Sequence, residues 1–203
     1  EKKDGQLIAT AINHAVNEGV QVISISLGIK DTEEGALQQA IQLALDNGIV
    51  LVFSAGNEGI PIRQGGQRYQ LDDSTYSTVG NITVDERVII VGAIQPEGTE
   101  WNYSSFGSGV DIWASGALRV MDEGNEVVFG GTSAAAPQIA SLAGLLRMLA
   151  PELTGEQIVD AIQQNVSLFE GHPVVNFDGA ITKVLSLHEA DSGAGIGHSR
   201  RPP

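Results

Sequence analysis

The chain has 203 residues, of which 42% are hydrophobic and 18% charged, with 25 acidic residues against 11 basic ones and no cysteine. The net charge of −14 makes nucleic acids and anionic membranes poor partners, and the missing cysteine excludes disulfides, thiol catalysis and cysteine-ligated zinc. No apolar run reaches the length of about 18 residues that crosses a membrane. These properties favour one α/β domain with a single core region.

The first half of the chain alternates between helix and strand patterns. Apolar residues recur at helical spacing over residues 6–18 and again over 32–46, and glycine turns stop both helices. Short apolar, β-branched runs at residues 20–25 and 49–53 predict buried strands. Strand, helix and strand with short joints form a βαβ unit, which requires parallel strands and a right-handed crossover. Residues 58–84 are polar, rich in glycine and without a clear period.

Further strands are predicted in the middle of the chain. Residues 87–92 and 110–113 are apolar and fit buried strands. Residues 118–120 and 127–129 flank the turn sequence D-E-G-N at 122–125, which is typical of a β-hairpin. The second half of the chain therefore continues the sheet and adds a hairpin.

Helices dominate the C-terminal part of the prediction. An apolar helix covers residues 132–149, and the sequence T-G-E-Q at 154–157 is a capping box that starts another helix. A last helix is predicted over residues 177–188. Residues 190–203 carry nothing to bury and are predicted to be a disordered tail, which leaves residues 1–189 as the folded domain.

Three segments carry candidate chemistry. Residues 130–141 read G-G-T-S-A-A-A-P-Q-I-A-S and place Ser133 between a glycine turn and a helix. A serine there lies near unpaired N–H groups and the positive end of the helix dipole, which suits a nucleophile whose product is an oxyanion. The same pattern is also that of an ordinary helix N-cap. Residues 49–59 end a buried run in A-G-N-E-G, with Asn57, and residues 22–28 read V-I-S-I-S-L-G.

Together these segments resemble the subtilisin-like serine proteases (subtilases). That family has a nucleophile block G-T-S-M-A-x-P, an oxyanion block A-G-N and a substrate-binding strand ending in S-L-G, in the same order along the chain. The resemblance implies a three-layer, doubly wound, mostly parallel α/β sheet, of which this chain supplies the C-terminal portion. The family's Asp and His blocks come before the S-L-G strand. Neither stands ahead of that strand here, and no H-G-T-H block occurs in the sequence.

The resemblance implies peptide-bond hydrolysis with Ser133 as the nucleophile. The side-chain amide of Asn57 and the backbone N–H of Ser133 would form the oxyanion hole; taken alone, Asn57 also fits a turn residue after glycine. Serine needs a base, which in the family is a histidine oriented by a buried aspartate. The four histidines of this chain lack the family's context and are predicted to lie on the surface: His14, His172 in a G-H-P turn, His188 at a helix end and His198 in the tail.

The resemblance also implies a peptide-binding cleft. Ser26, Leu27 and Gly28 would form one wall of the pocket for the residue before the scissile bond, and Ala55 and Gly56 the other, while an extended peptide adds to them as a strand. Gly80, in a T-V-G sequence, matches the glycine at the floor of that pocket. Residues 60–77 are longer than usual for the family, and the acidic pair at 72–73 is either a solvated loop or a preference for a basic residue.

The remaining site predictions concern a cation and departures from the family pattern. Asp111 falls where some subtilases bind a weak cation, together with carbonyls matching Thr83, Asp85 and Val88. Oxygen ligands of this kind suit Ca²⁺ or Na⁺, although an ordinary turn residue fits Asp111 as well. No cofactor is required for the chemistry, and the resemblance suggests a structural Ca²⁺.

Within the nucleophile block, Ala134 replaces the usual methionine, and Gln138 replaces a residue that is usually histidine, on a helix face expected to point away from the chemistry. Neither change argues against activity. Ser115 replaces the proline of the family's A-P-G.

The sequence thus predicts a serine endopeptidase in two pieces. One partner would be a cleaved upstream fragment or a separate polypeptide that carries Asp and His, and a cleavage would fall near Glu1. The other partner would be a peptide or protein substrate. We expect residues 1–203 not to fold stably alone, because edge strands would be left unpaired. One alternative is an inactive pseudoprotease that keeps the cleft as a peptide-binding groove. Another is an ordinary single-chain protease of which these 203 residues are a part. The compartment stays open, with secretion or the cell envelope favoured over the cytoplasm.

Overall fold

A six-stranded sheet forms the centre of the described part of the chain. The computed structural model describes residues 3–30, 35–62, 87–95 and 101–194. The elements, in chain order, are β1 (Lys3–Asp4), α1 (Gly5–Asn17), β2 (Val22–Ile25), β3 (Ile29–Lys30), α2 (Ala36–Asp46), β4 (Val50–Ser54), β5 (Val88–Ile94), β6 (Ile112–Ser115), β7 (Ala117–Asp122), β8 (Asn125–Gly130), α3 (Thr132–Leu149), α4 (Gly155–Gln163), β9 (Val166–Phe169), β10 (His172–Val175) and α5 (Phe177–Ala194).

The strand order of the large sheet is β2-β4-β5-β6-β10-β9. All neighbouring pairs are parallel except β10 and β9, which form an antiparallel hairpin at one edge. Strand β2 lies at the opposite edge and is only partly buried, whereas every residue of β4 and β5 is buried. Continuous apolar runs are expected for central parallel strands, because helices cover both of their faces.

Helices cover both faces, so the molecule has three layers. Alternate residues of a strand point to opposite faces. In β4, Val50 and Val52 join a core with α3, α4 and α5, whereas Leu51 and Phe53 join a second core with α1 and α2. The predicted three-layer, doubly wound, mostly parallel fold is therefore confirmed.

A buried arginine ties together the loops at the amino end of this sheet. Arg147, in the last turn of α3, donates from Nη1 to the carbonyl of Leu153 at 2.5 Å and from Nη2 to the carbonyl of Gly48. Gly48 lies between α2 and β4, and Leu153 lies just before α4. The first residue of α4, Gly155, packs so closely on the Gly48 carbonyl that a side chain there would collide with it. One guanidinium thus connects elements from both helical layers.

Several local predictions agree with the structure. The hairpin β7–β8 turns through Glu123 and Gly124, both at positive φ, as a two-residue hairpin loop requires. The capping box at α4 is present, with Thr154 accepting from the Gln157 backbone and Gln157 accepting from the Thr154 backbone. Helix α1 covers residues 5–17, one residue earlier than predicted. For α2, the described helix begins at Ala36, and residues 31–34 lie outside the described part of the chain.

Two features of the C-terminal part differ from the prediction. Strands β9 and β10 form a hairpin that the sequence patterns did not predict. Helix α5 continues to Ala194 instead of ending at residue 188, so it occupies the first residues of the predicted disordered tail. Extending an existing helix by one residue adds one hydrogen bond and avoids the cost of starting a new helix. A tail with alanine and acidic residues can therefore continue α5. Residues 195–203 lie outside the described residues.

Candidate active site

Ser133 sits at the carboxyl edge of the parallel sheet, in the first turn of α3. The preceding residues, Gly130 and Gly131, end strand β8 and turn the chain into the helix. Ser133 is half-buried, and its Oγ lies 3.5 Å from the carbonyl oxygen of Ser26, at the upper limit of a hydrogen bond. The Ser133 N–H belongs to the first turn, where backbone donors have no intrahelical acceptor. The hydroxyl and this N–H therefore lie together at the start of α3.

The turn before Ser133 depends on Gly131. Its φ of 84° and ψ of −169° lie in a region that is essentially confined to glycine. A Cβ atom there would stand 2.7 Å from Oδ1 of Asn57. The N–H of Gly131 donates to the carbonyl of Gly116 at 2.7 Å. The turn is thus shaped by glycine and packed directly against the predicted oxyanion residue.

Asn57 is joined to the start of α3 by its side-chain oxygen. Oδ1 accepts from the N–H of Thr132 at 2.9 Å and from the Thr132 hydroxyl at 3.1 Å. Because both partners are donors, they fix which end of the carboxamide is oxygen and leave Nδ2 as its outward donor. The Thr132 hydroxyl also accepts from the N–H of Gly56 at 3.2 Å. The predicted pairing of Asn57 with the nucleophile turn is consistent with this arrangement.

Two adjacent strands bring the predicted cleft walls to the same edge. Strands β2 and β4 are parallel neighbours, so Ser26 and Ala55, which directly follow them, lie at the same end of the sheet. Ser26 contacts Ser133 through the carbonyl described above and through its own hydroxyl, which lies 3.5 Å from the Ser133 carbonyl. Leu27 is 44% exposed and Gly28 half-buried, whereas Ala55 is buried. Gly80 lies outside the described residues.

Gln138 contacts the connection between β6 and β7. Its Nε2 donates to the carbonyl of Ser115 at 2.7 Å and to the carbonyl of Ala134 at 2.9 Å. Both acceptors are backbone carbonyls, one at the end of β6 and one in the first turn of α3, and neither belongs to Ser133 or Asn57. The expectation that this helix face points away from the chemistry stays a prediction.

Asp111 is held by the backbone of β5. Its Oδ2 accepts from the Ile90 N–H at 2.7 Å, and its own N–H donates to the Ile90 carbonyl at 3.0 Å. Burial raises the pKa of the Asp111 carboxyl to about 6, partly offset by the hydrogen bond from Ile90. Within the described residues, no group of three or more His, Cys, Asp or Glu side chains could hold a metal. Of the three carbonyls expected to join Asp111 in a cation site, those of Thr83 and Asp85 lie outside the described residues, whereas Val88 begins β5.

None of the three described histidines has a recorded contact with Ser133. His14 is exposed on α1, and Nδ1 of His188 lies 2.7 Å from a carboxylate oxygen of Glu152. His172 differs from the prediction, because it lies in β10 and is half-buried, with its ring centroid 4.5 Å from that of Trp113. Its predicted place in a surface turn is wrong, since the turn ends one residue earlier. The fourth histidine lies outside the described residues.

The letters D-S-G occur in the chain at residues 191–193, within the last turns of α5. In the family's order the aspartate comes first along the chain and the serine last. This segment stands after Ser133 and therefore does not occupy the position of the family's Asp block.

Sequence reasoning missed the roles of Thr132, Gly131 and Gln138. Thr132 is fully buried although it is polar, and its hydroxyl connects Gly56 to Asn57. A threonine beside the candidate serine and after two glycines was visible in the sequence, but its partners come from a segment about 75 residues away. Such contacts cannot be inferred from local patterns.

Comparison with known proteins agrees with this geometry. Residues 1–197 match the model of the subtilase family, Peptidase S8. Subtilisin NAT of Bacillus subtilis subsp. natto is 29% identical over 180 residues, which cover 85% of this chain and 44% of that protein. The thermostable alkaline protease of Halalkalibacterium halodurans is 31% identical over 176 residues, covering 86% and 44%. The chain therefore spans less than half the length of these relatives.

Solved structures give the same result. The self-cleaved protease domain of PatA superposes with a TM-score of 0.72 at 25% identity, covering 90% of this chain and 68% of that one. MycP1 from Mycobacterium smegmatis gives a TM-score of 0.66 at 26% identity, covering 87% and 54%. The described part of the chain contains no helix that is long and apolar enough to cross a membrane. The family model, the relatives and the fold agree: this chain belongs to the subtilase family of serine peptidases.

Proposed function

We propose that this chain is the nucleophile-bearing part of a serine endopeptidase. Ser133 attacks the peptide carbonyl, and the Ser133 N–H and Asn57 Nδ2 stabilise the resulting oxyanion. The observation that supports the proposal is the contact between Thr132 and Asn57, because it holds Asn57 against the residue next to Ser133 and makes Nδ2 the donor end of its carboxamide. Removing one such donor from a serine protease lowers turnover by about 100- to 1,000-fold.

A base and its orienting carboxylate would come from a second segment, either a cleaved upstream fragment or a separate polypeptide. Two exposed surfaces support this. Strand β2 has one neighbour in the sheet of the described residues and is only partly buried. Helix α3, which is otherwise central, exposes Leu145 by 42% and Met148 by 81%. A strand beside β2 and a helix over these side chains would cover both surfaces.

The substrate in this proposal is an extended peptide. It would pair with the backbone after β2 and after β4, with Ser26–Gly28 on one side and Ala55–Gly56 on the other. The similar structure described as a self-cleaved protease domain gives a precedent for cleavage in a protein of this fold. A structural Ca²⁺ near Asp111 remains part of the proposal, and the catalytic chemistry requires no cofactor.

A fluorophosphonate probe tests the proposal directly. The complete protein, purified with any associated polypeptide, is treated with the probe, and the intact mass of every polypeptide is measured. We expect one adduct on this chain, lost in Ser133→Ala and retained in Ser141→Ala, which removes an exposed serine of the same helix. The second mass would identify the segment that carries Asp and His. No adduct in the presence of that segment would support the pseudoprotease instead.

The dependence on a second segment has its own test. Residues 1–203 produced alone should show no cooperative unfolding transition, because the edge beside β2 and the exposed face of α3 would remain uncovered. Co-expression with the upstream segment should restore a sharp transition and probe labelling together. A sharp two-state melt of residues 1–203 alone would refute this part of the proposal.

A further inference from the structure

Gln138 uses both hydrogens of its carboxamide on backbone carbonyls. One goes to Ser115, the last residue of β6, at 2.7 Å, and the other to Ala134, in the first turn of α3, at 2.9 Å. Gln138 therefore joins the start of the nucleophile helix to the sheet. The bond to Ser115 is the one that crosses between elements.

A second hydrogen bond connects the start of α3 to the end of β6. The N–H of Gly131 donates to the carbonyl of Gly116, next to Ser115, at 2.7 Å. Two consecutive carbonyls thus accept from residues on either side of Ser133, one two positions before it and one five positions after it. The accepting segment is itself fixed, because the Gly116 N–H donates to the Ile94 carbonyl of β5 at 2.7 Å.

The two oxyanion donors belong to different elements. Asn57 follows β4, whereas the Ser133 N–H belongs to α3, so their separation depends on how α3 sits relative to the sheet. The Thr132–Asn57 bonds fix α3 against the end of β4. Gln138 supplies an anchor to the end of β6. Without the Gln138 bond, the end of β6 keeps the bond from Gly131 to Gly116, but the first turn of α3 is held less firmly against the sheet.

We propose that Gln138 is a positioning residue for Ser133, acting through the carbonyls of Ser115 and Ala134. This inference rests on the proposed function. It also joins two departures from the family pattern, since Gln138 and Ser115 both differ from the usual residues and contact each other. A misplacement of about 1 Å at a reacting group can lower the rate about 100-fold.

The carboxamide is suited to this role because it offers two donors from one nitrogen. A glutamate of the same shape has no donor when ionised and would face two carbonyl oxygens. A neutral imidazole has one donor and could keep one of the two bonds. The three side chains therefore form a series with two, one and no donors.

The test compares Gln138→Glu and Gln138→His in the complete protein. The readouts are the second-order rate of fluorophosphonate labelling at Ser133, and kcat and KM for a peptide substrate. We expect Gln138→Glu to lower labelling and kcat by about 10- to 100-fold with KM within about twofold of the parent, and Gln138→His to lie between. Gln39→Glu, an exposed glutamine on α2, makes the same charge change and should leave all three values unchanged.

The contrary outcomes are distinct. Labelling of Gln138→Glu within about twofold of the parent, or a raised KM with unchanged kcat, would overturn the positioning role while the proposed function stands. If Gln138→Glu does not fold, Gln138→His decides, since an unchanged kcat in that variant would also overturn it. A parent protein that is not labelled at Ser133 refutes the proposed function itself, and the role of Gln138 with it.

Discussion

Replacing Gly131 by alanine should disturb the nucleophile turn and the oxyanion amide together. Two costs follow from the structure. The backbone has φ 84° and ψ −169°, a conformation in which a non-glycine residue costs about 1–3 kcal/mol. The new Cβ would stand 2.7 Å from Oδ1 of Asn57, closer than non-bonded carbon and oxygen approach, so either Asn57 or the turn must move.

We expect Gly131→Ala to destabilise the complete protein by about 1–3 kcal/mol and to lower the labelling rate at Ser133 by about 10- to 100-fold. Gly124 provides a matched control, because it also has φ 84° but has no atom within 4 Å of an added Cβ. Gly124→Ala should therefore cost about 1–2 kcal/mol of stability without any change in labelling. Urea unfolding and probe kinetics measure the two effects separately.

A double-mutant cycle isolates the collision with the amide. Asn57→Ala removes the atom that the new Cβ would strike, so Gly131→Ala should cost less stability in that background than in the parent. The remaining cost should approach that of a strained backbone alone. Equal costs in the two backgrounds, or normal labelling of Gly131→Ala, would refute the reasoning that the turn positions Asn57 by direct contact.

Three further predictions concern separate features. Thr132→Val removes a buried hydroxyl with two partners and should cost about 1–3 kcal/mol in urea unfolding, with slower labelling at Ser133, whereas Thr132→Ser should remain near the parent. If Ca²⁺ binds at Asp111, Ca²⁺ at about 100 times its Kd should add about 2.7 kcal/mol of stability, and Asp111→Asn should abolish the gain; equal melting with Ca²⁺ and with chelator would exclude the site. The hydrogen bond from His188 lowers the pKa of the Glu152 carboxyl, so the pair stabilises the fold above the unfolded pKa of Glu152 and loses that contribution as the pH falls through the folded pKa. Glu152→Gln should flatten the acid limb of the stability profile, and an unchanged limb would contradict the assignment.

The parts of the fold that follow from local pattern were predictable. Strands β4 and β5 are continuous apolar runs, and α3 is an apolar helix that begins after a glycine turn. The local sequence pattern is enough to predict each of these three elements. The β7–β8 hairpin was predicted because a Glu-Gly turn lies between apolar runs. The order of the three family-like segments then led to the three-layer architecture.

The β9–β10 hairpin shows where local reasoning fails. Its turn, Glu170-Gly171, has both residues at positive φ, like Glu123-Gly124 in the predicted hairpin. The second strand carries Pro173, which lacks an N–H and argues against a strand by itself. The pairing of β10 with β6 and β9 outweighs that preference, and the pairing depends on residues distant in sequence.

The candidate site divides in the same way. Ser133 and Asn57 lie in recognisable segments, so their meeting at one sheet edge could be predicted. The hydrogen bonds from Thr132 to Asn57 and from Gln138 to Ser115 could not be predicted. Their partners lie in segments distant in sequence, whose relative position is defined only by the folded sheet. The pocket floor expected at Gly80 and the cation ligands expected beside Asp111 stay predictions.

The arginine at the amino end of the sheet has a consequence for how the molecule opens. Its guanidinium joins Gly48, which follows α2, to Leu153, which precedes α4, so helices from opposite faces share one set of hydrogen bonds. The two cores are otherwise separated by the sheet. If α2 loosened, the buried Arg147 guanidinium would lose its hydrogen bond to Gly48, and if α4 loosened it would lose the one to Leu153. A buried charge without its partners is costly. Amide protons on both faces should therefore exchange with solvent in the same opening event, and the three layers should behave as one cooperative unit.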